Sequence, residues 1–344
     1  MGSSDLSFLV VGAGAIGGIT AALLKRAGYD VEIIAKYNDY AEMISTTGLQ
    51  ITGARGNFKQ NLKAWKSATP EIGKKDIILL ATKATDMMQA AAESIHLLKE
   101  DGLLVSLQNG ICEDDLATIA GRERIVGCVV AWGATMVSQG QLFMSSEGEF
   151  IIGYIDRRSD ARLSELASIL SSIVPVKITD NIIGHLYSKL IINSCITPLG
   201  AICGMHLGEM LSKPKIRRIF IAIMSEAMQV ADEMGIKVEP FRGKLDYYRI
   251  LADNGWFADL KRHILIRIIG FQYRKLKSSS LQSLERGKPT EIDYFNGYIE
   301  KNAKIHGIDV PVNSAIVMLI HEIESGSRQI TPDNFNDVLF DRFN

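Results

Sequence analysis

A short apolar run over residues 6–11 leads into Gly12-Ala13-Gly14-Ala15-Ile16-Gly17-Gly18, and a helix-like stretch over 19–27, closed by Gly28, follows at once. Glycines at the first, third and sixth places of such a turn have separate jobs. Gly12 permits the tight turn, Gly14 lets a pyrophosphate approach the backbone, and Gly17 lets helix and strand pack closely. Free N–H groups at the start of the helix then offer hydrogen bonds to phosphate oxygens, with Gly12, Gly14, Ala15, Ile16 and Gly17 as the expected contacts. A glycine-rich turn without a ligand is the plainer alternative. The strand before the turn, the helix after it and a second strand over 31–35 favour a dinucleotide site, because they complete a βαβ unit of the right length.

The alternation continues. Strands are expected over 76–81, 102–107, 125–130 and 149–153, and from about residue 181 the texture changes to long helical patterns, such as 216–234 and 291–306. These patterns predict an α/β chain: an N-terminal Rossmann doubly wound domain over 1–180, and an all-helical C-terminal domain over 181–344, with the boundary near 179–184. A length of 344 residues suits two cores better than one.

Composition narrows the class of partner. The formal net charge is -1 with 22% charged residues, so nothing global argues for nucleic acid or membrane, and a small-molecule substrate is expected, with a homodimer left open. The four cysteines form no CxxC pair, which fits a reducing cytoplasm, and the six histidines show no metal spacing, so no metal is expected. The start, Met-Gly-Ser-Ser-Asp, does not read as a signal peptide.

Lys189 is the only formally charged residue from 181 to 208. An unpartnered buried ammonium is expensive, so a lysine there either snorkels to solvent or faces a pocket where it has work to do. Steps of four give His185, Lys189, Asn193 and Thr197, a polar stripe on an otherwise apolar helix. The 19 uncharged residues over 190–208 are long enough to raise a membrane span, but the polar residues and Pro198 within them favour a buried helix and turn.

At the end of the second strand an NAD enzyme usually has an Asp or Glu for the ribose 2'-OH. Here stands Ala35-Lys36, a cation suited to a 2'-phosphate, with Asp39 three residues on as the NAD alternative. Lys83, past the strand over 76–81, is a second candidate phosphate contact or a solvated loop lysine. Gln108-Asn109-Gly110 reads first as a turn, yet it falls where a doubly wound sheet binds ligands. In the second half, Pro289 and Thr290 are start signals for a helix with Glu291 in its first turn, where the helix dipole alone accounts for the charge. Ser278, Ser279 and Ser280 likewise read as a polar turn. Over 237–277, ten Lys or Arg face four Asp or Glu, ordinarily a solvated surface.

Together the GAGAIGG turn, Ala81-Thr82-Lys83, Gln108-Asn109-Gly110, Ser188-Lys189-Leu190-Ile191-Ile192-Asn193 and Thr290-Glu291-Ile292-Asp293-Tyr294-Phe295-Asn296-Gly297 resemble the ketopantoate reductase (2-dehydropantoate 2-reductase) family, in the same order over nearly the whole chain. The resemblance implies NADPH-dependent reduction of a 2-keto acid in pantothenate synthesis, by an active site between a Rossmann domain and a helical domain. It implies Lys189 and Glu291 as the catalytic pair and Asn109 as a residue touching nicotinamide and substrate. Asn193 and Ser279 would hold substrate, and Lys36 and Lys83 the 2'-phosphate. Two departures bear on the substrate: Thr197 stands where the family commonly has a second asparagine, and the stretch over 240–277 is longer than in compact members. The alternatives are an NAD(P)-dependent dehydrogenase for another keto acid and a non-catalytic dinucleotide-binding protein.

Overall fold

A computed structural model describes residues 6–253 and 255–343 and divides the chain into two compact units, Met1–Leu186 and Tyr187–Asn344. In the first unit the strands are β1 (Ser7–Val11), β2 (Asp30–Ile34), β3 (Leu49–Gly53), β4 (Phe58–Gln60), β5 (Lys63–Trp65) and β6 (Lys75–Leu80). They continue with β7 (Leu98–Ser106), β8 (Ile125–Val130), β9 (Gly133–Ser138), β10 (Gln141–Ser146), β11 (Phe150–Tyr154) and β12 (Val176–Ile178).

Eight of these form one sheet in the order β12-β11-β8-β7-β6-β1-β2-β5, parallel from β8 to β5, with β11 antiparallel to β8. From β1 the chain winds first to β2 and later, through β6, the other way, so the order reverses between β1 and β6. Ligands of such sheets bind past the carboxyl ends of the strands at that reversal. The strands read as continuous apolar runs because helices cover both faces, and Phe8, Val10, Ile33, Leu79 and Val105 are almost wholly buried. Each such side chain contributes roughly 1.5–3 kcal/mol of burial. An ion pair enters this interior: Lys75 Nζ lies 2.6 Å from Glu32 Oε1, while Trp65 Nε1 donates to the other oxygen. Burial raises the Glu32 carboxyl, but Lys75, Trp65 and Lys63 outweigh it and hold its pKa below the usual value.

The expected strands are all present, and a second sheet that sequence periodicity did not suggest joins them. It has the order β4-β3-β10-β9 and packs on the helix Ala15–Arg26. Gly18 makes room for it, since a Cβ there would lie 2.5 Å from Leu142 Cδ1.

The second unit is helical. The long helix Ile182–Cys203, most of which belongs to it, contains Pro198, which has no N–H for the carbonyl of Ser194. Asn296 Nδ2 donates to that carbonyl instead, at 3.3 Å, and also to Asn313 Oδ1 at 3.0 Å. Asn313 in turn donates to Glu226, whose carboxylate accepts the N–H groups of Val312 and Asn313 and so caps the helix Pro311–Glu324. One buried polar chain thus ties together Ile182–Cys203, Pro214–Glu233, Asn296–His306 and Pro311–Glu324. The long helix is long and apolar enough to cross a membrane, but 83% of its most apolar stretch is buried inside the protein.

One expectation needs correction. The helix expected over 291–306 begins at Asn296, after a short 3-10 turn, Ile292–Tyr294, and an irregular Phe295. The carboxylate of Glu324 takes both the N–H and the hydroxyl of Thr290, and the Thr290 oxygen takes the N–H of Ile292. Phe295, at φ -112° and ψ -97°, leaves the helical path and separates the 3-10 turn from the α-helix. Glu291 is therefore the residue entering the 3-10 turn, and it lies outside any first α-helical turn.

Candidate active site

In the first unit the glycine turn behaves as its spacing requires. Gly12 has φ +109°, and a Cβ on it would meet the Ala81–Thr82 backbone at 2.9 Å; on Gly17 it would lie 2.0 Å from the Gly12 carbonyl oxygen. Both are glycine for the protein's own packing. Gly14 differs: a Cβ there meets nothing within 4 Å, and its φ of -71° suits any residue. Packing leaves Gly14 unexplained, whereas a pyrophosphate laid against the backbone accounts for it. The helix behind it has no acidic residue in its first turn and no side-chain cap, so its leading N–H groups suit phosphate oxygens. A nicotinamide dinucleotide fits this cradle. Tyr40, which sequence reasoning missed, steadies it by donating its hydroxyl to the Ala13 carbonyl at 2.9 Å.

A cavity of about 120 Å³, open to solvent, adjoins the turn, lined among others by Gly12, Lys36, Lys66, Ser67, Thr82 and Asp86. Lys36 lines it, while Asp39 lies exposed on the helix Asn38–Thr46. The structure adds Lys66, one residue past β5, a lysine whose place only the β2–β5 pairing reveals. It also adds Asp86, 4.0 Å from Lys36 Nζ. Lys83 is half-buried at the head of the 3-10 turn Ala84–Asp86, beside these residues in sequence but not among those lining the cavity.

Asn109 is half-buried in the turn after β7, where Gly110 has φ +90°. Around it, Ser106 donates to Gln108 at 2.8 Å, and the Cys112 N–H donates to Glu113 at 2.9 Å. Glu113 is buried, and that burial pushes its carboxyl up to about 7.

In the second unit the polar stripe is the one opening in the long helix. From 184 to 203 every residue is buried except Lys189, Asn193 and Ile196, which are half-buried and stand four and three apart on one face. His185 and Thr197 extend the line but are buried, and the Thr197 hydroxyl donates to the Asn193 carbonyl at 3.0 Å. Thr197 therefore keeps only its acceptor lone pairs for a ligand. Tyr187 and Tyr298 pack edge to face with ring centres 6.4 Å apart. This contact and the Asn296–Ser194 hydrogen bond lay residues 296–298 along the long helix on either side of Lys189. Glu291, half-buried, enters this same segment. Ser278 is the buried cap of the helix Ser279–Glu285, leaving Ser279 exposed as its first residue. Among the described residues no cluster of His, Cys, Asp or Glu has the makings of a metal site, and the four cysteines are buried thiols outside any disulfide.

Comparison with known proteins agrees with this layout. Residues 8–157 match the family model described as ketopantoate reductase PanE/ApbA, and residues 181–324 match its C-terminal counterpart. A 2-dehydropantoate 2-reductase of Pyrococcus horikoshii is 30% identical over 322 residues, covering 93% of this chain and 98% of that one. Among solved structures, the 2-dehydropantoate 2-reductase of Geobacter metallireducens superposes with a TM-score of 0.78 at 26% identity, over 92% of this chain and 99% of that one. A D-mandelate dehydrogenase solved with NADH and anilino(oxo)acetate shares the fold, with a TM-score of 0.80 at 23% identity, over 93% and 98% of the two chains. With a glycine turn shaped for a dinucleotide in one unit and a lysine stripe in the other, the chain belongs to the ketopantoate reductase family of nicotinamide-dinucleotide oxidoreductases.

Proposed function

We propose that the protein reduces the keto group of 2-dehydropantoate with NADPH, giving pantoate. The observation that carries this reading is the opening in the long helix, where Lys189 and Asn193 are the polar groups on a surface otherwise closed to solvent. Gly12, Gly14, Ala15, Ile16 and Gly17 hold the pyrophosphate, Lys36 and Lys83 the 2'-phosphate, and Asn109 the nicotinamide end. When bound, the reduced dinucleotide supplies a hydride for the keto carbon. Negative charge then grows on the carbonyl oxygen, and the Lys189 ammonium stabilises it and donates the proton that completes the alcohol. Glu291 offsets the desolvation of that ammonium and orients it. Asn193 and Ser279 donate to the substrate's carboxylate and hydroxyl groups, and Thr197 accepts from a hydroxyl.

Steady-state turnover of ketopantoate, with NADPH and NADH side by side, tests this. Lys189→Ala should lower kcat by about 10²–10⁴, the usual weight of a positioned acid, while NADPH affinity stays within about twofold. Parent-rate turnover by that variant would end the assignment.

The committed hydroxyl of Thr197 favours a second reading, a different 2-keto acid on the same scaffold. A donor that a paired asparagine would offer to substrate is here spent on the helix itself. A panel of branched and aromatic keto acids separates the two: the primary reading requires ketopantoate to give the highest kcat/KM.

A further inference from the structure

The helix Trp256–Gln272 has two unlike faces. Its inner face is anchored: Ile266 and Gly270 are buried, a Cβ on Gly270 would lie 2.8 Å from Leu211, and Arg262 Nε donates to the Ile250 carbonyl at 2.7 Å. Its outer face carries Phe257, Leu260, Ile264, Ile268 and Phe271, which are 63%, 47%, 51%, 58% and 69% exposed. Trp256, 67% exposed, stacks on Phe257 with ring centres 3.6 Å apart.

The spacing on that face is three, four, four, three. At 3.6 residues per turn the five side chains fall within an arc of about 80°, the narrow seam of a helix that packs on another helix. The pattern also reads the same from either end. Phenylalanine stands seven residues to each side of Ile264, and a branched aliphatic residue four to each side.

We propose that this helix is the contact of a two-fold symmetric homodimer, pairing antiparallel with its copy about an axis at Ile264. An isologous interface requires a surface complementary to itself, and a palindromic stripe on one straight helix meets that requirement. Phe257 then faces the partner's Phe271, Leu260 faces the partner's Ile268, and Ile264 meets its own counterpart. Six such side chains at these exposures present roughly 600–700 Å² at the usual sizes of aromatic and branched groups. That is at or above the largest patch of a typical monomer and close to the roughly 800 Å² per partner of a standard interface. Lys261 and Arg267 lie about 60° to either side of the seam at 100° per residue. The two-fold axis places the two lysines on one rim and the two arginines on the other, where long stems extend the apolar contact while the charges stay in water. An anionic membrane surface is the other occupant that basic and aromatic residues suggest, but a lipid surface gives no reason for the symmetry.

Sedimentation of the full chain at micromolar concentration decides the matter. The parent should run as a dimer, and Ile264→Glu, which sets two carboxylates against each other on the axis, should run as a monomer with an unchanged circular dichroism spectrum. Ile264→Cys should form a covalent dimer under mild oxidation, and the four buried native thiols give little background. A monomeric parent overturns the proposal. So does a dimer that survives Ile264→Glu, or a dimeric Ile264→Cys that never cross-links. Phosphatidylserine vesicles form a separate arm, and capture of a monomeric parent by them would assign the face to lipid instead.

Discussion

The side-chain amide of Asn296 donates to the carbonyl of Ser194, the carbonyl that Pro198 leaves without its helical partner. A proline inside a buried helix is thus tolerated because a residue 102 positions away in the chain supplies the missing donor. Its two ends sit five residues along the chain from Lys189 and five from Glu291, so the repair lies close in sequence to both candidate residues.

Asn296→Ala should destabilise the protein by about 2–4 kcal/mol, since it leaves the Ser194 carbonyl and Asn313 Oδ1 without donors in the interior. Pro198→Ala restores an N–H to the helix. In that background the cost of Asn296→Ala should fall by about 1 kcal/mol, the net worth of one hydrogen bond. Urea unfolding of the four proteins gives the coupling directly, and zero coupling would show that Asn296 does not compensate for the proline.

The two glycines that differ in surroundings should differ in effect. Gly17→Ala forces a Cβ to within 2.0 Å of the Gly12 oxygen and should cost about 3 kcal/mol or more, read as a lower thermal midpoint. Gly14→Ala meets open space at an ordinary φ. It should leave the midpoint within about 2 °C, since an unstrained substitution moves stability by only tenths of a kcal/mol. Dinucleotide affinity should drop at least about tenfold, which is about 1.4 kcal/mol. Calorimetric titration with NADPH checks it; unchanged affinity would remove Gly14 from the site.

Glu113 gives a pH dependence with a definite sign. Its folded-state value of about 7 lies above the ordinary 4.5, so the native state holds the proton more tightly than the unfolded chain. The benefit is complete below pH 4.5, declines as pH rises from 4.5 to about 7, and is absent above. The shift corresponds to about 3 kcal/mol. Glu113→Gln should abolish this slope, so the stability difference between parent and variant should change by about 2 kcal/mol between pH 5 and pH 7.5. Parallel behaviour at the two pH values would show that Glu113 is charged in the fold.

Lys36 and Asp86 should act in opposite directions on cofactor choice. Lys36→Ala removes a cation from the cavity and should reduce kcat/KM for NADPH by roughly 10–100-fold, the weight of a charge-assisted contact, with little change for NADH. Asp86→Asn removes the carboxylate 4.0 Å from Lys36 Nζ and should raise the NADPH-to-NADH ratio a few-fold. Initial rates with both cofactors, at fixed keto acid, read this out. A Lys36→Ala variant that loses both cofactors equally would place the lysine outside the 2'-phosphate site.

Much of the architecture could be read locally. The glycine turn, the six principal strands and the change to helices near residue 181 each follow from a few neighbouring residues, because φ/ψ limits and apolar periodicity act over short distances. The second sheet escaped notice for the opposite reason. Strands such as β4, with three residues, have no periodicity to detect and form by pairing with β3, whose Leu49 packs over Gly18 of the helix Ala15–Arg26. Lys66 and Asp86 were invisible as cavity residues until β5 paired with β2 and Ala84–Asp86 closed its turn.

For the candidate site the division is similar. The isolated charge of Lys189, the stripe with Asn193 and the turn around Gly14 stand out in the sequence itself, since charge placement and backbone freedom belong to the residues themselves, whereas Glu291 reads locally as a charge at a helix start and joins the candidates only through the family resemblance. The tertiary structure decided which of the stripe's groups stay open, that the Thr197 donor is spent within the helix, that Phe295 delays the helix after Thr290 to Asn296, and that the outer face of Trp256–Gln272 is left bare. Those outcomes depend on which distant donor or apolar surface arrives next to a group, and chain neighbours carry no record of that.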